Sequence, residues 1–191
     1  MEKENAFKFL VFSAIPCRRN KSGKIIEPQD RLKDAIHRAH RDVLTGRFYF
    51  EQYLSYKEKG KDGLNEIEIK LDSIIRDLKK KGIALNSNSL IETLQKEYDT
   101  VEFGAIQKLV NMTLKYVVIL NSFEKAEIPV DEHGCDCPLD SVILTELEKR
   151  LGKKHTKWTR MNHDEYKEVQ KEIKQIMENE PILYFDFKYW K

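Results

Sequence analysis

Apolar residues recur at helical spacing through most of the chain. Leu32, Ile36, Ala39, Val43 and Leu44 fall on one face of a segment that starts at Pro28, and Ile67, Leu71, Ile74, Ile75 and Leu78 do the same within Leu64–Lys80. Residues three and four apart share a helix face, so both runs predict amphipathic helices. Gly82 ends the second as a C-terminal glycine does. A further helix runs through Leu90, Ile91, Leu94 and Tyr98, with Ser87 or Asn88 as its cap. Another is predicted over Ser141–Leu151, and a charged one from Glu165 to Glu178 behind Asp164. Two stretches depart from this period: 7–15 (FKFLVFSAI) and 181–190 (PILYFDFKYW) read as extended segments or short strands near the termini. The aromatic group Phe48, Tyr49, Phe50, Tyr53 and Tyr56 reads as packing surface, KEKGKDG at 57–63 as a loop, and 121–137 as an irregular excursion. The pattern predicts a mostly α-helical single domain over residues 1–191.

One predicted helix differs in kind. FGAIQKLVNMTLKYVVIL, Phe103–Leu120, is apolar or small almost all round, and its polar side chains are Gln107, Lys108, Asn111, Thr113 and Lys115. Such a helix is normally buried. Lys108, Asn111 and Lys115 stand at i, i+3 and i+7, with Gln107 at the edge of that stripe, so the stripe should face a pocket or groove. Removing an ammonium from water is costly, and a buried lysine escapes by losing its proton, which makes it a nucleophile. Lys115, the one polar residue of its turn, reads as a lysine that buries its stem and extends its amine to water. The same bland reading holds for Lys108 unless it has a partner.

Asp140 is that candidate partner. It stands just before the Ser141–Leu151 helix, where a carboxylate caps backbone N–H groups and gains from the helix dipole. Capping alone accounts for an aspartate there. A capped carboxylate is also rigid and ionised, and so suited to stabilising a positive charge nearby.

Composition narrows the setting. Charged residues make up 35% of the 191 and nearly cancel, leaving a formal charge of +2, which excludes a strongly basic coat protein or a charged disordered tail. No run of about 18 uncharged apolar residues is present, so no membrane span is expected. Acidic residues precede the apolar centre of MEKENAFKFLVFSAIPC, unlike a signal peptide, and three cysteines fit a reducing, cytoplasmic setting. His133, Cys135 and Cys137 with Cys17 make a poor zinc set, because C-x-C is an awkward bite; no metal or other cofactor is expected. His37 and His40 read as part of a solvated charged face. Lys149, Arg150, Lys153, Lys154, His155, Lys157 and Arg160 surround Trp158 in the densest basic stretch. It reads either as a phosphate-gripping loop with an indole to stack on a base, or as a helix end with Trp158 turned inward.

Gly104-Ala105-Ile106-Gln107-Lys108-Leu109-Val110-Asn111 followed by Cys137-Pro138-Leu139-Asp140-Ser141-Val142-Ile143-Leu144 resembles the helix-hairpin-helix DNA glycosylases. Those proteins carry a glycine-containing turn, a catalytic lysine opening a helix, and a later Pro-hydrophobic-Asp motif. The 32-residue separation of Lys108 and Asp140, the Gln-Lys pair and the second lysine Lys115 are most similar to the archaeal 8-oxoguanine glycosylase branch. The resemblance covers residues 103–144, and Glu102-Phe103-Gly104-Ala105 supplies one hairpin glycine where the typical turn has two. It implies a base-excision enzyme acting on DNA, with Lys108 and Asp140 catalytic. It further implies Gln107, Asn111, Lys115 and Trp158 at the substrate, and Gly104, Lys153, Lys154 and Lys157 at DNA phosphates. The alternative is a non-catalytic helical protein that binds nucleic acid or protein. The direction of the Lys108 amine separates the two.

Overall fold

The structure, a computed structural model, describes residues 31–44, 66–124 and 127–189, the side chains of 44, 123 and 124 excepted. The features read at 7–15, 48–56 and 57–63, and Cys17, lie outside these residues. The described residues form seven α-helices: α1 (Arg31–Leu44), α2 (Glu66–Lys80), α3 (Ser87–Glu97), α4 (Phe103–Glu124), α5 (Ser141–Leu151), α6 (His163–Met177) and α7 (Tyr184–Tyr189). Two 3₁₀ turns, 132–134 and 158–160, and one isolated parallel bridge between Leu85 and Val130 complete them.

The fold is built around α4. Its residues Gly104–Leu114 and Tyr116–Leu120 are all buried, and α1, α3 and the 158–160 turn pack against it. On α1 the predicted apolar face makes this contact, with Ala35, Ile36, Ala39 and Val43 fully enclosed. Two alanines on that face allow close approach of the helices. α4 has the length and apolarity to cross a bilayer over Phe103–Ser122, and 89% of that window is buried within the fold. In its last turn, Asn121 accepts from the Ile128 N–H at 3.0 Å and donates to the Ile128 carbonyl at 2.7 Å, turning the chain back.

Helix ends follow local chemistry with small shifts from expectation. The cap of α3 is Asn86, one or two residues before the predicted Ser87 or Asn88, and its side chain accepts from the Ser89 N–H. Asn162, not Asp164, caps α6 through a reciprocal box with Glu165. Gly82 adopts the left-handed backbone (φ +67°) expected of a helix-ending glycine. The C-terminal segment is helical at 184–189 and not extended. Its aromatic residues alternate, but they also pair at helical spacing: Phe185 with Tyr189 at 4.6 Å and Tyr184 with Phe187 at 5.9 Å between ring centroids. His37 and His40 depart from the solvated reading, because the buried Glu68 on α2 meets both Nδ1 atoms, at 3.0 and 2.5 Å.

A buried polar network ties α4 to the segment before α5. The Asn111 amide donates to the Tyr166 hydroxyl (2.8 Å) and to Gln107 (3.3 Å), and accepts from Ser87 (2.7 Å). Tyr166 donates in turn to Asp136 at 2.7 Å, and the Asp136 N–H donates to Ser87. Gln170 brackets Cys137 from both sides, accepting from its N–H and donating to its carbonyl. Removing one member of such a network leaves the others desolvated and unmet. Asn111→Ala is therefore expected to lower the unfolding free energy by about 3 kcal/mol, measured by urea titration.

Candidate functional site

The polar stripe of α4 divides into two parts. Gln107 and Asn111 point into the network just described, and Lys108 and Lys115 point to carboxylates. The Gln107 amide donates to the Leu139 carbonyl at 3.3 Å. That bond joins the residue before the lysine to the residue before the aspartate, and so fixes the Lys108 helix against the Asp140 turn. The amides of Gln107 and Asn111, expected at a substrate, are engaged by the protein.

Asp140 caps α5 as its position dictates: Oδ1 accepts from the N–H groups of Val142 (2.9 Å) and Ile143 (3.0 Å). Its other oxygen, Oδ2, lies 3.8 Å from the Lys108 Nζ. The separation is too long for a hydrogen bond but short enough for a strong Coulombic pairing out of water. The Trp158 ring lies on the ammonium from another side, its centroid 4.6 Å from Nζ. Lys108 is only 7% exposed. Its pKa is lowered from the usual lysine value, chiefly by burial, with the Lys115 charge acting the same way; Asp140, Asp42 and Asp186 oppose the shift.

Lys115 does not reach for water. It is ion-paired with the buried Asp186 of α7, and its amine lies 5.3 Å from the centroid of the Phe187 ring. Burial raises the Asp186 pKa, and the Lys115 charge opposes that rise. Asp186 is the site residue the sequence reading missed. The available signal was a lone carboxylate inside the aromatic run Tyr184–Tyr189, obscured by reading that run as extended. On α1, Asp42 accepts from the Tyr116 hydroxyl at 2.5 Å and pairs with Arg38 at 3.1 Å.

The residues assigned to DNA phosphates differ in their surroundings. Gly104 is buried in the first turn of α4 beneath the Trp158 carbonyl. Lys153 is held between Glu168 (2.6 Å) and Glu172 (2.8 Å). Lys154, 88% exposed in its side chain, approaches Glu148 only at 3.9 Å, and Lys157 is exposed. These last two stand a few residues from the ring that covers Lys108. Cys135 and Cys137 are buried free thiols, and no group of three or more His, Cys, Asp or Glu among the described residues is arranged to hold a metal.

These contacts define a helical fold with a buried lysine amine facing a helix-capping carboxylate. Compared with known proteins, the chain matches no family model, no curated protein and no solved structure.

The Lys108 shift has a stability consequence of definite sign. Between its lowered folded value and 10.5 the unfolded chain binds the extra proton, so stability rises with pH through that window. Below it the buried group weighs against the folded state. Relative to Lys108→Met, which lacks the titrating amine, the wild-type protein is expected to gain stability as pH rises toward 10.5, measured by urea unfolding across the pH range.

Proposed function

We propose that the protein is a DNA base-excision glycosylase with lyase activity, using Lys108 as nucleophile and Asp140 as the stabilising carboxylate. The observation that carries this reading is the direction of the Lys108 amine, which is withdrawn from water and faces Asp140 at 3.8 Å. A lysine serving only nucleic-acid affinity would extend to solvent. The resemblance over residues 103–144 adds the substrate class.

The chemistry follows from the pair. A damaged nucleotide must leave the duplex stack before its sugar can reach a recessed amine. The free amine of Lys108 forms a bond to the sugar C1′ as the glycosidic bond breaks, and the base departs with the electron pair and takes up a proton. Loss of a proton from nitrogen and opening of the C1′–O4′ bond, with O4′ taking up a proton, then give a protonated Schiff base. Loss of a C2′ proton from that species expels the 3′ phosphate and nicks the strand. Asp140 carries a fixed negative charge beside the developing sugar cation, with Oδ1 held by two backbone N–H groups, and acts through electrostatics. The network linking Asn111, Gln107 and Leu139 keeps the amine and the carboxylate in register.

Borohydride reduction in the presence of duplex DNA containing a single oxidised or otherwise damaged base should trap a covalent protein–DNA adduct. Lys108→Gln should abolish the adduct; unchanged trapping by that variant rules the mechanism out. Asp140→Asn keeps a capping side chain and should fold, with the single-turnover rate reduced on the order of 10²-fold or more. Lys154→Glu with Lys157→Glu should weaken DNA binding by a similar factor on all sequences and flatten its salt dependence, measured by fluorescence anisotropy.

A further inference from the structure

Gly104 and Trp158 are joined by a close backbone contact. A Cβ built on Gly104 would lie 1.9 Å from the Trp158 carbonyl oxygen and 2.9 Å from its carbonyl carbon. Both obstructing atoms are backbone, so no side-chain rotation relieves the overlap. A glycine within a helix costs about 1 kcal/mol relative to alanine, which makes a bare position here informative. The turn it admits is also secured from below. Its Arg160 N–H donates to the Lys157 carbonyl at 2.8 Å, Met161 behind it is buried, and Asn162 enters the capping box of α6. Thr156, just ahead of the turn, donates to Glu165 of the same box at 2.5 Å. The backbone of Trp158 is thus fixed between the start of α4 and the start of α6, and its ring is delivered onto the Lys108 amine.

We propose that Gly104 and Trp158 form a socket and cap that set the reactivity of Lys108: the ring excludes water from the amine, and Gly104 is a positioning residue acting through that ring. The proposal deepens the reading of Lys108 as the nucleophile, but it concerns the amine alone and can be tested without DNA. Asp140 from the start of α5 and Trp158 from its turn meet the amine directly, and the charges of Asp42 on α1, Asp186 on α7 and Lys115 on α4 itself act on it through space. Three carboxylates against one lysine favour the ammonium, and so does a ring face. Exclusion of water is the opposing influence that prevails here. Removing the cap therefore moves the amine toward ordinary lysine behaviour, because rehydration outweighs the lost ring contact.

The test is competitive acetylation of the full chain with acetic anhydride across pH, followed by peptide mass spectrometry, with exposed Lys154 and Lys157 as internal references. The midpoint of each profile reports proton affinity, and the plateau reports access. Lys108 should show a lower midpoint than the references. Trp158→Ala should raise that midpoint and the plateau, cutting the neutral-pH rate relative to plateau by about tenfold, the effect of one pKa unit. Trp158→Phe keeps a ring and should retain the original midpoint. Gly104→Ala should behave like Trp158→Ala, yet add no shift to the midpoint in a Trp158→Ala background, although stability still falls. An unmoved midpoint in Trp158→Ala, or an equal shift from Gly104→Ala with and without the ring, overturns the proposal. Should Gly104→Ala fail to fold, the Ala and Phe variants of Trp158 decide the capping role. Failure to trap lesion DNA would remove the glycosylase reading and leave this outcome standing.

Discussion

The arrangement of the molecule depends on α4 being almost wholly buried while carrying polar side chains. Each buried polar group needs a partner, and each partner fixes a neighbouring element. Asn111 anchors α3 through Ser87 and α6 through Tyr166, and Gln107 anchors the turn before α5 through the Leu139 carbonyl. Lys108 draws in Asp140 and the Trp158 ring, and Lys115 draws in α7 through Asp186. Thr113 is the exception, its hydroxyl buried without a hydrogen-bond partner among the described residues. Apolar packing explains why α4 is central. Its polar residues explain why its neighbours sit where they do.

The two lysine–carboxylate pairs share one helix face but differ in what the carboxylate is free to do. Asp186 meets its lysine directly, inside the core, where a charge without a partner is strongly disfavoured. Asp140 gives one oxygen to two backbone N–H groups and stands off from Lys108 at 3.8 Å. At about 4 Å two unit charges interact by roughly 1 kcal/mol in water and about 4 kcal/mol near a protein surface, so the benefit of this anion grows as water is excluded. The same exclusion lowers the proton affinity of the amine, so burial acts on both members of the pair.

The sequence made much of this legible, and for identifiable reasons. The α1, α2, α4 and α5 helices announce themselves by 3.6-residue periodicity or by a cap–helix–glycine pattern, and Asp140 and Gly152 bound α5 as local rules require. The Lys108–Asp140 partnership was accessible because a lysine on an apolar helix and an aspartate before a helix are each conspicuous. The rest was not, because it depends on long-range contact. Gln107 and Asn111 read as substrate groups when nothing showed that Leu139, Ser87 and Tyr166 would engage them. Asp186 lay in a run whose aromatics fit period 2 and period 3.6 about equally, and only tertiary packing selects the helix. Gly104 gave no hint that the obstacle to a side chain was a carbonyl more than fifty residues away.

Rigidity around Lys108 is uneven, and the unevenness has chemical meaning. Asp140 is held by two backbone bonds, Leu139 by Gln107, Cys137 by both ends of Gln170, and Asp136 by Tyr166. Displacing any of these breaks buried hydrogen bonds, each leaving a group whose desolvation costs about 1–3 kcal/mol. The Trp158 backbone is equally fixed, but its contact with the amine is a ring face on an ammonium, worth about 0.5–2 kcal/mol. The same loop carries the exposed Lys154 and Lys157 just before that ring, and Lys154 approaches Glu148 only at 3.9 Å.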